Sequence, residues 1–125
     1  MSPHQAVGNR MKHADIRLDI LIKREEDYYL AHCLQFDIVA TDDSLVRVKE
    51  AIIDLCLAHI ENSVQNDNLA YLFSPAPKEV WAEYLSMTKD ASCEVSSGSF
   101  KEKIPSLPPF IIQEVICHGQ DTPLS

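Results

Sequence analysis

The chain has 125 residues and a formal charge of -8 at pH 7, a length that fits one domain with a modest core, so that self-association would add buried surface the monomer lacks. Its acidity argues against a general grip on nucleic-acid phosphate, which needs a basic surface, and suits a basic partner drawn in from a distance. With 46% hydrophobic and 24% charged residues, the composition is that of a globular domain rather than a disordered chain.

Residues 1–14 are polar, lack the apolar stretch of a signal peptide, and read as a flexible N-terminal segment. IRLDILIK, residues 16–23, alternates: Ile16, Leu18, Ile20 and Ile22 point one way, Arg17, Asp19, Leu21 and Lys23 the other. This is the pattern of a strand with one buried face, which puts Asp19 on the wet face beside Arg17. REED is a charged turn, YYLAHCL (residues 28–34) a second strand in hairpin with the first, and DIVAT (residues 37–41) a short third strand.

Asp42, Asp43 or Ser44 can cap the helix that follows, which runs to about Val64. Its apolar positions cover an arc of roughly 240°, whereas one small sheet hides a stripe of about 100°. Leu45, Val48, Ile52, Leu55, Cys56 and His59 centre that arc, and Val46, Ile53, Leu57, Ile60 and Val64 widen it. A second cover is therefore expected, from the C-terminal half or from another subunit. SPAPKEVWAEYLSM (residues 74–87) reads as a short helix with proline in its first turn and Val80, Trp81, Tyr84 and Leu85 on one face. It is the expected cover for the long helix's flank. Residues 88–99 read as a polar loop and PSLPP (residues 105–109) as extended chain. FIIQEVIC (residues 110–117) is a β run, apolar on both faces, to be paired with its own sheet or a neighbour's. The tail from His118 is polar.

No run is long and apolar enough to span a membrane. Cys33, Cys56, Cys93 and Cys117 have no C-x-x-C spacing, and all four read as reduced thiols of a cytoplasmic protein. His32 and Cys33 are adjacent on a strand, so their side chains diverge and do not make a nucleophile and base. His4, His13, His32, His59 and His118 show no ligand spacing, and His59 fits a hydrogen-bonded interior group. Asp19, Asp37 and Asp43 could converge on Mg²⁺ for hydrolysis. The simpler reading makes Asp37 a turn residue and Asp42 and Asp43 helix-capping groups.

Residues 16–62 resemble the HicB-like domain. Tyr29, Ala31 and Cys33 match its second strand, Asp43, Ser44 and Leu45 stand at its helix start, and Val48 and Ala51 continue the helix face. The family's usual Pro-Glu-x-Pro-Gly loop is replaced by LQFD, and Asp42 stands where it has glycine. The resemblance implies an α+β fold with a three-stranded antiparallel sheet and a long helix packed on one face (β-β-β-α), here followed by a short helix and a C-terminal strand. It also implies kinship with a degenerate ribonuclease H core. No DNA-binding module of the kind common in HicB antitoxins is recognisable after Asn66.

The expected organisation is a flexible segment (residues 1–14), a HicB-like core (15–66) and a C-terminal extension (67–125) packing on the core or on a neighbouring subunit. The expected function is a non-enzymatic, oligomeric interaction module, a dimer or higher, masking a small basic toxin-like partner without binding DNA directly and without cofactor or metal. Its expected interface is Val46, Ile53, Leu57, Ile60, Trp81, Tyr84, Phe110 and Ile112. The alternatives are a metal-dependent nuclease or hydrolase built on Asp19, Asp37 and Asp43, and a small-molecule sensor with a pocket near Trp81 and Tyr84.

Overall fold

The computed structural model describes residues 16–68, 72–100 and 110–117. The expected N-terminal segment, the PSLPP stretch and the tail from His118 lie outside the described residues. The elements run β1 (Ile16–Arg24), β2 (Tyr29–Cys33), β3 (Ile38–Asp42), α1 (Leu45–Gln65), α2 (Lys78–Thr88), β4 (Cys93–Phe100) and β5 (Phe110–Cys117).

The strands form one five-stranded sheet in the order β3-β2-β1-β5-β4. β1, β2 and β3 are successive antiparallel neighbours, β5 lies parallel to β1, and β4 returns antiparallel on β5. The α+β class holds, but the sheet is mixed and larger than the three-stranded antiparallel one expected. Two strands make the difference. The final β run pairs with its own chain at the sheet's centre, and the Ser-rich stretch expected to be a loop forms strand β4. Its weak intrinsic β preference is overridden by a continuous ladder to β5 from Cys93↔Cys117 to Phe100↔Phe110.

The sheet buries apolar side chains on both faces. On one, Leu18, Ile20 and Ile22 of β1, Ala31 and Cys33 of β2, Ala40 of β3 and Ile112 and Ile116 of β5 pack with Val48, Ile52, Ile53, Cys56 and Ile60 of α1. On the other, Leu21, Leu34 and Val115 pack with Tyr84 and Met87 of α2. Burying each large side chain contributes about 1.5–3 kcal/mol, so both layers matter to a domain of this size. The short helix thus corrects the expectation that it would flank α1: it lies across the sheet from it. The helices also sit over opposite ends, α1 across β2 and β3, α2 across β4 and β5.

The wide apolar arc of α1 is covered instead by the chain that leads to α2. Leu72 is buried in the α1 layer, and Phe36 lies against the rings of His59 and Phe73, at 4.7 and 5.6 Å between centroids. His59 Nε2–H donates to the Leu72 carbonyl at 2.8 Å, which makes this histidine a hydrogen-bonded, partly buried group. The amides of Ser74 and Ala76 then donate to the carbonyls of Gln35 and Leu34 at 3.0 and 2.8 Å. The segment is thereby pinned to the β2–β3 turn as it crosses from one face to the other.

Ser44 is the N-cap of α1, its hydroxyl accepting from the Arg47 amide at 3.2 Å, while Arg47 pairs with Asp42 and Asp43. At the other end the amides of Asp67 and Asn68 donate to the carbonyls of Val64 and Ser63 at 3.2 and 3.0 Å, closing a Schellman turn. Asp67 holds φ 52°, a left-handed conformation that favours glycine. A carboxylate also opposes the negative end of the helix dipole. Replacement of Asp67 by Gly is expected to raise stability by about 1 kcal/mol, read as the midpoint of urea unfolding. An unchanged or lower midpoint would show that the Asp67 carboxylate makes a compensating contact.

Candidate functional site

Asp19 stands at the middle of β1, on the central strand of the sheet, and is 5% exposed. It lies on the face away from α1, as its place in the alternation requires, but that face is covered by α2 rather than wet. A buried carboxylate needs partners on every side, since burying an unpaired charge costs several kcal/mol. They come from three segments, and a fourth joins through one of them. Arg17, two residues earlier, donates through Nη2 at 3.0 Å and Nε at 3.2 Å to Oδ1. Tyr84 of α2 donates its hydroxyl to the same oxygen at 2.8 Å. Gln35, in the β2–β3 turn, donates Nε2–H to Oδ2 at 2.7 Å and accepts the Asp19 amide on Oε1 at 2.7 Å. Gln113 of β5, the register neighbour of Asp19, donates to the Tyr84 oxygen at 3.0 Å.

The Asp19 hydrogen bond and charge raise the Arg17 guanidinium pKa further above its ordinary value. Burial, then the hydrogen bond to Asp19 and its charge, push the Tyr84 phenol well above its ordinary 10. No buried side-chain nitrogen or oxygen among the described residues is left without a partner. The arrangement locks a helix to a sheet, and both oxygens of its carboxylate accept hydrogen bonds from the chain's own side chains.

The other carboxylates proposed for a metal are engaged elsewhere. Asp37, in a left-handed turn position with φ 57°, meets His32 Nε2 at 2.7 Å, and Asp43 meets Arg47. Among the described residues no three His, Cys, Asp or Glu side chains gather as a metal site would require. His32 and Cys33 diverge as adjacent strand residues must. Cys33 packs beneath α1 and its thiol interacts with that of Cys56, and this hydrogen bond and burial push the Cys56 pKa up.

A cleft of about 330 Å³ opens at the far end of the α2 face, lined by Lys23, Arg24, Glu25, Glu83, Met87, Asp90, Ser92, Cys93 and Cys117. Lys23 bridges to Glu83 of α2 at 3.0 Å, and the Arg24 guanidinium sits 5.5 Å from the Tyr29 ring centre. Its wall includes a disulfide between Cys93 and Cys117, directly opposed on β4 and β5 with Cα atoms 4.4 Å apart. This corrects the expectation that all four cysteines are thiols: only Cys33 and Cys56 are free. The pairing was hidden because it depends on a strand that the Ser-rich sequence does not announce.

The expected interface residues have different fates. Ile53, Ile60, Tyr84 and Ile112 are buried in the chain's own two layers, and Leu57 and Trp81 are partly buried against them. Val46 is 64% exposed on α1. The Phe110 side chain lies outside the described residues. The residues that sequence patterns missed are Gln35 and Gln113, which complete the Asp19 network. A polar residue set inside an apolar run, Asp19 in LDI and Gln113 in IIQEV, was the available signal.

The two helices leave one part of the α2-side face uncovered, over β2 and β3. There His32 is opposed to Val39 and Leu30 to Thr41. Val39 is 46% exposed, and exposed acidic residues surround this end of the sheet: Glu26 and Asp27 in the β1–β2 turn, Asp37 before β3 and Asp43 after it. Among the described residues β3 has a strand neighbour on one side only. No known family, curated protein or solved structure matches the chain.

Replacing Tyr84 by Phe is expected to cost about 2 kcal/mol, the size of a buried hydrogen bond to a charged group. It should also flatten the alkaline limb of the stability profile. The phenol pKa is raised on folding, so its contribution is complete below pH 10 and is lost as pH rises beyond that. Urea midpoints between neutral and alkaline pH for the two proteins check both effects. Equal alkaline slopes would mean that the phenol is not held by Asp19.

Proposed function

We propose that the chain is a non-enzymatic, oligomeric protein-interaction module of HicB-like type that occupies and masks a small basic partner. The observation that carries this reading is the uncovered end of the sheet: an exposed Val39 with Leu30, His32 and Thr41 on a face without a helix, ending in the edge strand β3 and rimmed by Glu26, Asp27, Asp37 and Asp43. A patch whose rim is mainly acidic, with Asp37 paired to His32 and Asp43 to Arg47, suits a partner of opposite sign, which the field attracts before contact. An edge strand offers it unpaired backbone groups. The β1–β2–β3–α1 order agrees with the HicB-like resemblance of residues 16–62. Asp19 is consumed by its own network, which favours binding over hydrolysis.

No helix among the described residues is long and apolar enough to cross a membrane. The same proposal puts the chain in the cytoplasm, where the Cys93–Cys117 link would meet a reducing medium.

Sedimentation of the native chain is expected to give a particle at least twice 14.1 kDa. Val39→Lys should weaken capture of a small basic probe protein without changing the circular dichroism spectrum, whereas Val46→Lys on exposed α1 should leave that capture unchanged. A particle of one chain at all concentrations would remove the oligomer. Loss of capture by the helix substitution alone would move the binding face to α1.

A further inference from the structure

We propose that the Cys93–Cys117 disulfide is a thiol-exchange site: a small neutral or cationic thiol held in the adjoining cleft attacks Cys93 and expels Cys117. This does not depend on what the uncovered sheet end binds. Cys93 and Cys117 both line the cleft and both are half-buried, so the disulfide borders the space that an entering thiol would occupy. The cleft's charged side chains are Lys23 and Arg24 against Glu25, Glu83 and Asp90. Three acids against two bases, in a chain of charge -8, disfavour an anionic thiol and admit an aminothiol.

The two sulfurs are not equivalent. Lys23, Cys117 and Cys93 occupy one row across β1, β5 and β4, on the same face, so Lys23 is the direct neighbour of Cys117. Its ammonium, though bridged to Glu83, favours a thiolate there. Cys93 is tied to the α2–β4 turn, its amide donating to the Asp90 carbonyl at 3.0 Å, and Asp90 lines the same cleft. No lining base stands beside Cys93 in the sheet as Lys23 stands beside Cys117, so a thiolate on Cys93 lacks that stabilisation. The lower-pKa sulfur is the better leaving group, so attack falls on Cys93.

The step balances as exchange. The small thiol gives its proton to water, and its thiolate forms a bond to Cys93 Sγ as the Sγ–Sγ bond breaks. The electron pair leaves with Cys117 Sγ, which remains a thiolate beside Lys23 or takes a proton from water. A second small thiolate attacks the mixed disulfide, releasing the symmetrical small disulfide and the Cys93 thiol. Two small thiols are thereby oxidised to one disulfide while the protein disulfide is reduced to two thiols. Cys33 and Cys56, 0% and 1% exposed in the other apolar layer, are too buried to intercept the intermediate. Opening the link leaves β4 attached to β5 by ladder hydrogen bonds and packing alone.

The test uses the oxidised full chain in native buffer with cysteamine or reduced glutathione at equal thiolate concentration. Samples are quenched with an alkylating agent and mapped by peptide mass. The expected result is a single adduct on Cys93 with Cys117 alkylated, Cys33 and Cys56 unmodified, and cysteamine reacting several-fold faster than glutathione. Asp90→Asn, which keeps an oxygen to accept from Ser92, should narrow that rate ratio. An adduct that forms only in denaturant would overturn the proposal, as would one mainly on Cys117. Equal rates for the two thiols, or a ratio unchanged by Asp90→Asn, would overturn the charge selection.

Discussion

A single carboxylate, buried at the centre of the sheet, ties the molecule together. Asp19 cannot be stable there unless Arg17, Gln35 and Tyr84 all reach it, and those groups belong to β1, the β2–β3 turn and α2. Gln113 adds β5 through the Tyr84 hydroxyl. Meeting the demands of one charge thus fixes where the turn folds back, where the second helix docks and which residue of β5 lies beside β1. Hydrophobic burial supplies most of the stabilisation but little direction. Hydrogen bonds to a buried charge have strict geometry and a high cost when unmade, and so they select one arrangement among many that would bury similar area.

The same constraint bears on the three carboxylates considered for a metal. A general acid, base or metal ligand needs an open coordination site or a free lone pair facing substrate. Asp19 is screened by its own partners, Asp37 answers His32, and Asp43 answers Arg47. What remains open is surface: a helix-free end of the sheet with an acidic rim, and a charged cleft with a disulfide in its wall. These lie at different parts of the fold, and the two proposals made for them, a protein partner and a small thiol, rest on different chemistry.

The sheet is covered diagonally, with α1 over one end of one face and α2 over the other end of the opposite face. A helix laid on either face cannot shield all five strands, so among the described residues each face keeps an end without a helix. The long apolar arc of α1 therefore does not by itself require a second subunit. The chain around Leu72 and Phe73, with the ring of Phe36, takes up one flank, while Val46 and Leu55 stay exposed.

Local pattern alone determined the β1, β2 and β3 strands, the long capped helix, the short helix and the last β run. Each is specified by periodicity or capping within a few neighbouring residues, as in the alternation of IRLDILIK or Ser44 ahead of α1. It also determined that Cys33 and His32 face opposite ways. Only the tertiary structure decided that residues 93–100 are a strand, since Ser and Gly give no β signal and the ladder comes from β5. Only it decided that Cys93 meets Cys117, that α2 sits across the sheet from α1, and that Asp19 is buried. Each of these depends on groups distant along the chain, such as the 65 residues between Asp19 and Tyr84. Periodicity records which side a residue faces, and what covers that side is settled by the packing of segments that share no local pattern.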